Sequence, residues 1–251
     1  MEGRTALVTG AGRGIGRATA ISLARRGDRV LAVARTEPDL QSLAAEVPVK
    51  YLVETVATAD GCARIAEQAT KLLGAVDILV NNAGVDVDEP AIWSQATATW
   101  RQAMAVNLDA PFELTRLLAG GMIQRRWGRI VMVSSTAGSA GGPSMAAYCA
   151  SKHGVLGLMR SVACDVAPFG VTCNAVAPGW VRTPMSERTA EQEAARRGVC
   201  AQQVWDERAS SYAAGRVVTA EEVASVITFL TSDAATGVNG ETITIALGQV
   251  W

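Results

Sequence analysis

Seven short apolar runs, TALVT, RVLAVA, VKYLV, VDILVN, RIVMVS, VTCNAVA and ETITIAL, recur along the 251-residue chain. They are rich in Val, Ile and Leu and do not alternate polar with apolar. That is the pattern of strands buried on both faces. Helical candidates lie between them at 16–26, 59–73, 100–125, 146–167 and 220–232. Strand-helix alternation of this kind closes as a parallel sheet with right-handed crossovers and helices on both faces. The expected fold is α/β, a doubly wound parallel sheet formed as a single domain over 1–251. No linker, repeat or low-complexity tract divides the chain. Segment 185–215 departs from the rhythm, being polar with two helix-forming blocks, SERTAEQEAARRG and AQQVWDERAS. At the sheet's C-terminal edge it reads as a helical substrate lid or as an ordinary helical excursion.

Charge narrows the function. With 23 basic and 24 acidic residues and a net charge of -1, nothing drives the chain toward nucleic acid or an anionic membrane. No apolar run is long enough to span a bilayer. The opening MEGRTALVTG lacks the apolar core of a signal peptide. Cys62, Cys149, Cys164, Cys173 and Cys200 are scattered, odd in number and without a CxxC pair, so neither a zinc site nor a disulfide framework is expected. A cytoplasmic location fits best. His153 is the only histidine and lies off the face that carries its neighbour Lys152, so neither a Ser/His/Asp hydrolase nor a metal site is expected.

TGAGRGIG, at 9–16, lies between the first strand candidate and the first helix candidate. Helix N-terminal N–H groups and the helix dipole favour an anion there, and glycine lets a pyrophosphate approach the backbone. The spacing Gly10, Gly14, Gly16, with Gly12 extra, is neither GxGxxG nor a P-loop. A tight turn with close helix–sheet packing is the plain alternative.

This spacing resembles the TGxxxGxG turn of the short-chain dehydrogenase/reductase family, whose fold is Rossmann-like. NNAG at 81–84, Asn107 in AVNL, Ser135 after RIVMVS, YCASK at 148–152 and PGWVRT at 178–183 follow in that family's order and spacing. The resemblance covers nearly the whole chain. It implies a dinucleotide at Gly10, Gly12, Gly14, Ile15 and Gly16, with Asn82, Ala83 and Gly84 on the adenosine ribose side. Pro178, Gly179, Val181 and Thr183 match the segment that contacts the nicotinamide carboxamide. A homotetramer is implied as well. The family's usual Asp-Val after the third strand is replaced by Thr55-Val56, with Glu54 or Asp60 as substitute carboxylates near adenine.

An acidic residue ending the second strand selects NAD, whereas arginine accommodates the 2′-phosphate of NADP. That strand ends at Ala34, Arg35 follows, and Arg13 adds a second cation from the glycine turn. With no carboxylate in that slot, NADP(H) is expected; the alternative is a pair of solvated arginines.

Tyr148 and Lys152, four apart in a helical stretch, share one face. A neighbouring positive charge favours the phenolate, and a tyrosine so placed exchanges a proton with a ketone or alcohol oxygen. Ser135 is a hydroxyl able to hold the same oxygen, preferred over Ser134 on spacing. The resemblance adds that Lys152 bonds the nicotinamide ribose and that Asn107 holds a water linking Lys152 to solvent. The expected activity is an NADP(H)-dependent interconversion of ketone and secondary alcohol. ARRGVCAQQVWDERASSYAAGRVVTAEEVA, at 195–224, resembles the substrate loop of 3-hydroxybutyrate dehydrogenases and acetoacetyl-CoA reductases, which implies a 3-oxoacyl substrate, thioester or free acid. Aryl or cyclic ketones are the alternative substrates, and a non-catalytic dinucleotide sensor is the alternative function. Trp93, Trp180, Met185, Trp205 and Tyr212 are candidate pocket walls, or else core. Gly138, Gly141 and Gly142 leave room beside the tyrosine. Arg182, Arg188, Arg196 and Arg197 are candidate partners for an anionic substrate group, or else a solvated face. The C-terminal Trp251 is a candidate interface anchor or pocket residue, or a disordered end.

Overall fold

The structure, a computed structural model, describes residues 3–87 and 89–248; Trp251 lies outside them. In chain order it contains β1 (Thr5–Thr9), α1 (Gly14–Arg26), β2 (Arg29–Ala34), α2 (Glu37–Glu46), β3 (Val49–Val53), α3 (Ala59–Leu73) and β4 (Ile78–Asn81). After a loop come α4 (Thr97–Met104), α5 (Ala110–Arg125), β5 (Gly128–Val133), α6 (Ala146–Val166) and β6 (Val171–Pro178). The chain ends through α7 (Pro184–Arg197), α8 (Ala201–Ser210), α9 (Ala220–Leu230) and β7 (Thr242–Ile245). All seven strands form one parallel sheet in the order β3-β2-β1-β4-β5-β6-β7.

Alternate residues of each strand feed opposite faces, as the pleat requires. Leu7, Leu31, Leu79 and Ile130 pack with Ile65 of α3, Leu114 of α5 and Leu156 of α6. Val8, Val30, Val80 and Val131 pack on the other face with Leu23 of α1, Leu40 of α2 and Ile227 of α9. Each such Leu, Ile or Val contributes about 1.5–3 kcal/mol by burial. Full burial on both faces fails only at the edges, where β3 and β7 stay partly open because each has a single neighbouring strand.

The helix expected over 100–125 is broken. It begins at Thr97, widens into a π-helical turn over Ala105–Asp109, and resumes as α5. Pro111 gives the physical reason, since it has no N–H to return to the Asn107 carbonyl four residues earlier. The segment expected as a lid is a helical hairpin. Its small core of Ala190, Ala194, Val204 and Trp205 is separate from the two main clusters. Thr183 caps α7 in a reciprocal box with Ser186.

Candidate active site

Strand order reverses between β1 and β4, and the crevice beyond their C-terminal ends is where ligands bind in such sheets. A cavity of about 560 Å³ opens there, lined by Gly10, Gly12, Arg13, Gly14 and Ile15. Arg13, the residue preceding α1, makes no side-chain cap, and the first turn of α1 holds no acidic residue. The helix therefore presents uncapped N–H groups and its positive dipole end to an anion. The glycines also answer to the protein itself. Gly10 has φ +64°, and a Cβ there would lie 2.9 Å from the Ala83 Cα. A Cβ on Gly16 would come within 2.4 Å of the Asn82 side chain. Close packing and anion access are thus met by one turn.

Asn82 is the counterpart of that packing. Its Nδ2 donates to the carbonyls of Thr9 (2.8 Å) and Gly10 (3.3 Å), tying the end of β1 to the end of β4. Ala83 N donates to Thr9 Oγ1 at 3.0 Å. Asn82, Ala83 and Gly84 all line the cavity.

Arg35, Thr55 and Val56 line the far end. Glu54 joins them, but its carboxylate bonds Arg64 at 2.6 Å, which holds its pKa below the usual range. Asp60 does not line the cavity. The slot that ends the second strand holds no carboxylate, but one approaches Arg13 from the next helix. Asp39, from the first turn of α2, lines the same end and pairs with Arg13 at 2.6 Å. It lies four residues beyond Arg35, in the turn of α2 that directly follows β2. Arg35 is exposed and makes no ion pair with a described residue.

A second cavity of about 250 Å³ adjoins the first, and both are lined by Ile15, Ser134, Tyr148, Thr183 and Met185. Lys152 lines only the larger and Ser135 only the smaller. Tyr148 therefore stands at the junction, with an ammonium on one side and a hydroxyl on the other. Pro178, Gly179 and Val181 wall the smaller cavity; Thr183 walls both.

Lys152 is buried and donates to the Val133 carbonyl at 2.9 Å; its Nζ lies 5.7 Å from the Tyr148 ring centre. Burial lowers its pKa to about 8, against a smaller opposing pull from Asp86. The tyrosine is not tuned as the spacing alone suggests. Burial raises Tyr148 to about 12; the Ser135 hydroxyl pulls it down, while Asp86 and Cys149 push it up. Desolvation of the phenolate outweighs the Ser135 hydrogen bond. Ser134 is committed elsewhere, donating from a buried hydroxyl to the Lys152 carbonyl at 3.1 Å. Its neighbour Ser135 lines the smaller cavity and also accepts from Ala137 N at 3.1 Å, capping the turn that follows.

Asn107 sits in the π-helical turn. Its Oδ1 accepts from Val85 N at 2.8 Å, and its Nδ2 donates to the Val85 carbonyl and to Ser151 Oγ at 2.9 and 3.1 Å. The side chain is a brace between α6 and the loop after β4. A spot beside Gly84, where a Cβ would sit, is 3.5 Å from Asn107 Oδ1 and 3.6 Å from Lys152 Nζ.

Two carboxylates in that loop went unread in the sequence. Glu89, 7% exposed, accepts from the N–H groups of Ala147 (2.7 Å) and Tyr148 (2.9 Å), and from Gln95 Nε2 at 2.7 Å. Met145, which precedes α6, supplies no side-chain cap, so Glu89 caps α6 from 58 residues away. Asp86 lines the smaller cavity. The only local signal for either is an acidic run, VDVDE, after NNAG.

Of the candidate pocket walls, Trp180 and Met185 line the smaller cavity, as do Gly141 and Gly142. Trp93 is 87% exposed and lines neither cavity, and Trp205 belongs to the lid's own core. Tyr212 is buried behind Gly179 and accepts from the Trp180 N–H at 2.5 Å. Gly138 is small because a Cβ would meet Ser134 Oγ at 2.6 Å and the Lys152 carbonyl at 2.9 Å. Arg182 pairs with Glu187 at 2.7 Å; Arg197 pairs with Glu193 and Glu207 at 2.9 and 2.7 Å. Arg196 is exposed and lines neither cavity, whereas Arg188 lines the larger one.

A nucleotide-sized crevice at the switch point, opening onto a small chamber through a Tyr–Lys–Ser junction, defines a dinucleotide-linked oxidoreductase site. The pattern defining the short chain dehydrogenases matches residues 4–194. Over 245 residues the chain is 36% identical to the 3-oxoacyl-(acyl-carrier-protein) reductase of Haemophilus influenzae, covering 97% of this chain and 96% of that one. It is equally 36% identical over 250 residues to the Escherichia coli K12 reductase of the same name, covering 99% and 98%. Among solved structures, a variant of actinorhodin polyketide ketoreductase with NADPH superposes with a TM-score of 0.94 at 33% identity, covering 98% of this chain and 97% of that one. Levodione reductase superposes with a TM-score of 0.90 at 30% identity, covering 98% and 97%. The chain belongs to the short-chain dehydrogenase family.

Proposed function

We propose that this protein is an NADP(H)-dependent reductase of 3-oxoacyl ketones, with Ser135, Tyr148, Lys152 and Asn107 as its catalytic and positioning residues. The observation that carries this reading is the position of Tyr148, between a cavity with uncapped helix N–H groups and a chamber that holds Ser135. The nicotinamide cofactor supplies hydride when bound. The pyrophosphate would be held at the N-terminus of α1, and the 2′-phosphate by Arg35 and Arg13. Tyr148, held up at about 12, carries its proton at neutral pH. That proton is the one it would give to a ketone oxygen that Ser135 positions. Lys152 holds the cofactor side of the junction. The lack of a side chain on Gly84 leaves open the space toward Asn107 and Lys152 that a proton-returning water would need. The curated relatives named as 3-oxoacyl reductases support the substrate class, and the NADPH-bound neighbour supports the cofactor. The helical hairpin of α7 and α8, with Trp180 and Met185 facing the chamber, acts as the substrate lid.

The test is NADPH oxidation with acetoacetyl-CoA, with NADH as control. Turnover with NADPH alone is expected. Tyr148→Phe should lower kcat by about 10²–10⁴-fold while NADPH still binds. Full turnover by that variant would overturn the assignment.

A further inference from the structure

Asp86 is the sole acidic or basic residue among the described residues that line the smaller cavity. The other lining groups are small, apolar or neutral, with Ser135, Tyr148, Trp180 and Met185 among them. Asp86 makes no hydrogen bond or ion pair with a described residue, unlike Glu89, whose carboxylate is bound to the N-terminus of α6. The nearest cations do not neutralise the chamber from within. Arg188 lines the larger cavity. Arg208 stands behind the wall, stacked 3.6 Å from the Trp180 ring centre and bonded to Glu193 at 3.0 Å. A carboxylate facing an otherwise neutral chamber needs a hydrogen-bond donor and repels an anion.

We propose that Asp86 is a specificity-determining residue that makes the chamber select a neutral ketone bearing a hydrogen-bond donor, and refuse the free 3-oxo carboxylate. This rests on the ketoreductase reading and resolves one of its alternatives, thioester against free acid. An amide-bearing thioester arm presents such N–H donors, and its carbonyl end carries no charge. At about 250 Å³ the chamber suits a short acyl unit. The groups acting on Asp86 are Glu89 from its own loop, Tyr148 and Lys152 of α6, Arg188 of α7 and Arg208 of α8. Burial and Glu89 raise its pKa, and the three cations oppose them. Rejection of anions therefore strengthens as pH rises through the Asp86 transition.

Acetoacetamide and acetoacetate share a carbon skeleton and differ in charge and in donor. With NADPH, wild type should favour the amide by about tenfold or more in kcat/KM. Asp86→Asn, checked by unchanged NADPH affinity, should bring the ratio to within about threefold by improving acetoacetate. Any general effect on Tyr148 cancels in the ratio. A ratio that stays put in Asp86→Asn, or a wild type without preference, overturns the proposal while leaving the ketoreductase reading intact. Calorimetric binding of the two compounds to the NADP⁺ complex separates the other failure. Discrimination in binding that Asp86→Asn abolishes, without reduction of either compound, supports the filter, and the ketoreductase reading then stands or falls on acetoacetyl-CoA. Binding of neither compound overturns the chamber assignment and with it the filter.

Discussion

Single residues carry the proton and charge chemistry. Glu89 joins the loop after β4 to the first turn of α6, through the N–H of Tyr148 itself. Glu89→Ala would leave two buried N–H groups without an acceptor, at a cost of about 1–3 kcal/mol each. A positioning role predicts a lower kcat with unchanged KM for NADPH, only partly rescued by Glu89→Gln, whose single oxygen accepts on one side while its NH2 faces an N–H on the other. Loss of melting temperature with intact kcat would reduce Glu89 to a cap. Gly84 offers a cleaner probe, because an added Cβ would meet only ordinary contacts of 3.5 Å or more. Gly84→Ala should fold normally yet lower kcat by occupying the spot shared by Asn107 and Lys152. An unchanged kcat would remove that water from the mechanism. At the other end of the crevice, Asp39 competes with a 2′-phosphate for Arg13. The pair is partly exposed, so Asp39→Asn should tighten NADPH by only about two- to fivefold and leave NADH unchanged.

At the scale of an element, α6 sets the pH response. It carries Tyr148, held protonated well above neutrality, and Lys152, which loses its charge near pH 8. Both groups are protonated below about pH 8, the state that ketone reduction requires. As pH rises through that value Lys152 turns neutral, and kcat/KM for reduction should fall with it. A profile flat to pH 10 would remove the lysine charge from the rate. Asp86 supports that charge, so Asp86→Asn should shift the falling limb to lower pH.

Across the whole molecule, the sheet's two faces are covered, yet Trp100 of α4 and Phe112 and Leu117 of α5 remain partly exposed at 38%, 45% and 37%. They offer apolar surface at which the homotetramer implied by the family resemblance would assemble. Sedimentation of Phe112→Glu should show a smaller species than wild type if this face assembles. No helix among the described residues is long and apolar enough to cross a membrane.

Much of this architecture was legible along the chain because it repeats or sits at fixed spacing. The Val/Ile/Leu runs fix seven strands, the glycine turn fixes the anion end of α1, and the four-residue interval of Tyr148 and Lys152 fixes a shared helix face. Even the break at Asn107 has its cause in Pro111, four positions on. Tertiary structure alone decided what lies opposite those residues. Glu89 meets α6 across 58 positions and Asp39 meets Arg13 across 26, separations with no periodicity to read. It also decided that Tyr148 is a strongly held proton rather than a ready phenolate, because desolvation depends on what packs around a hydroxyl and not on its neighbour four residues away.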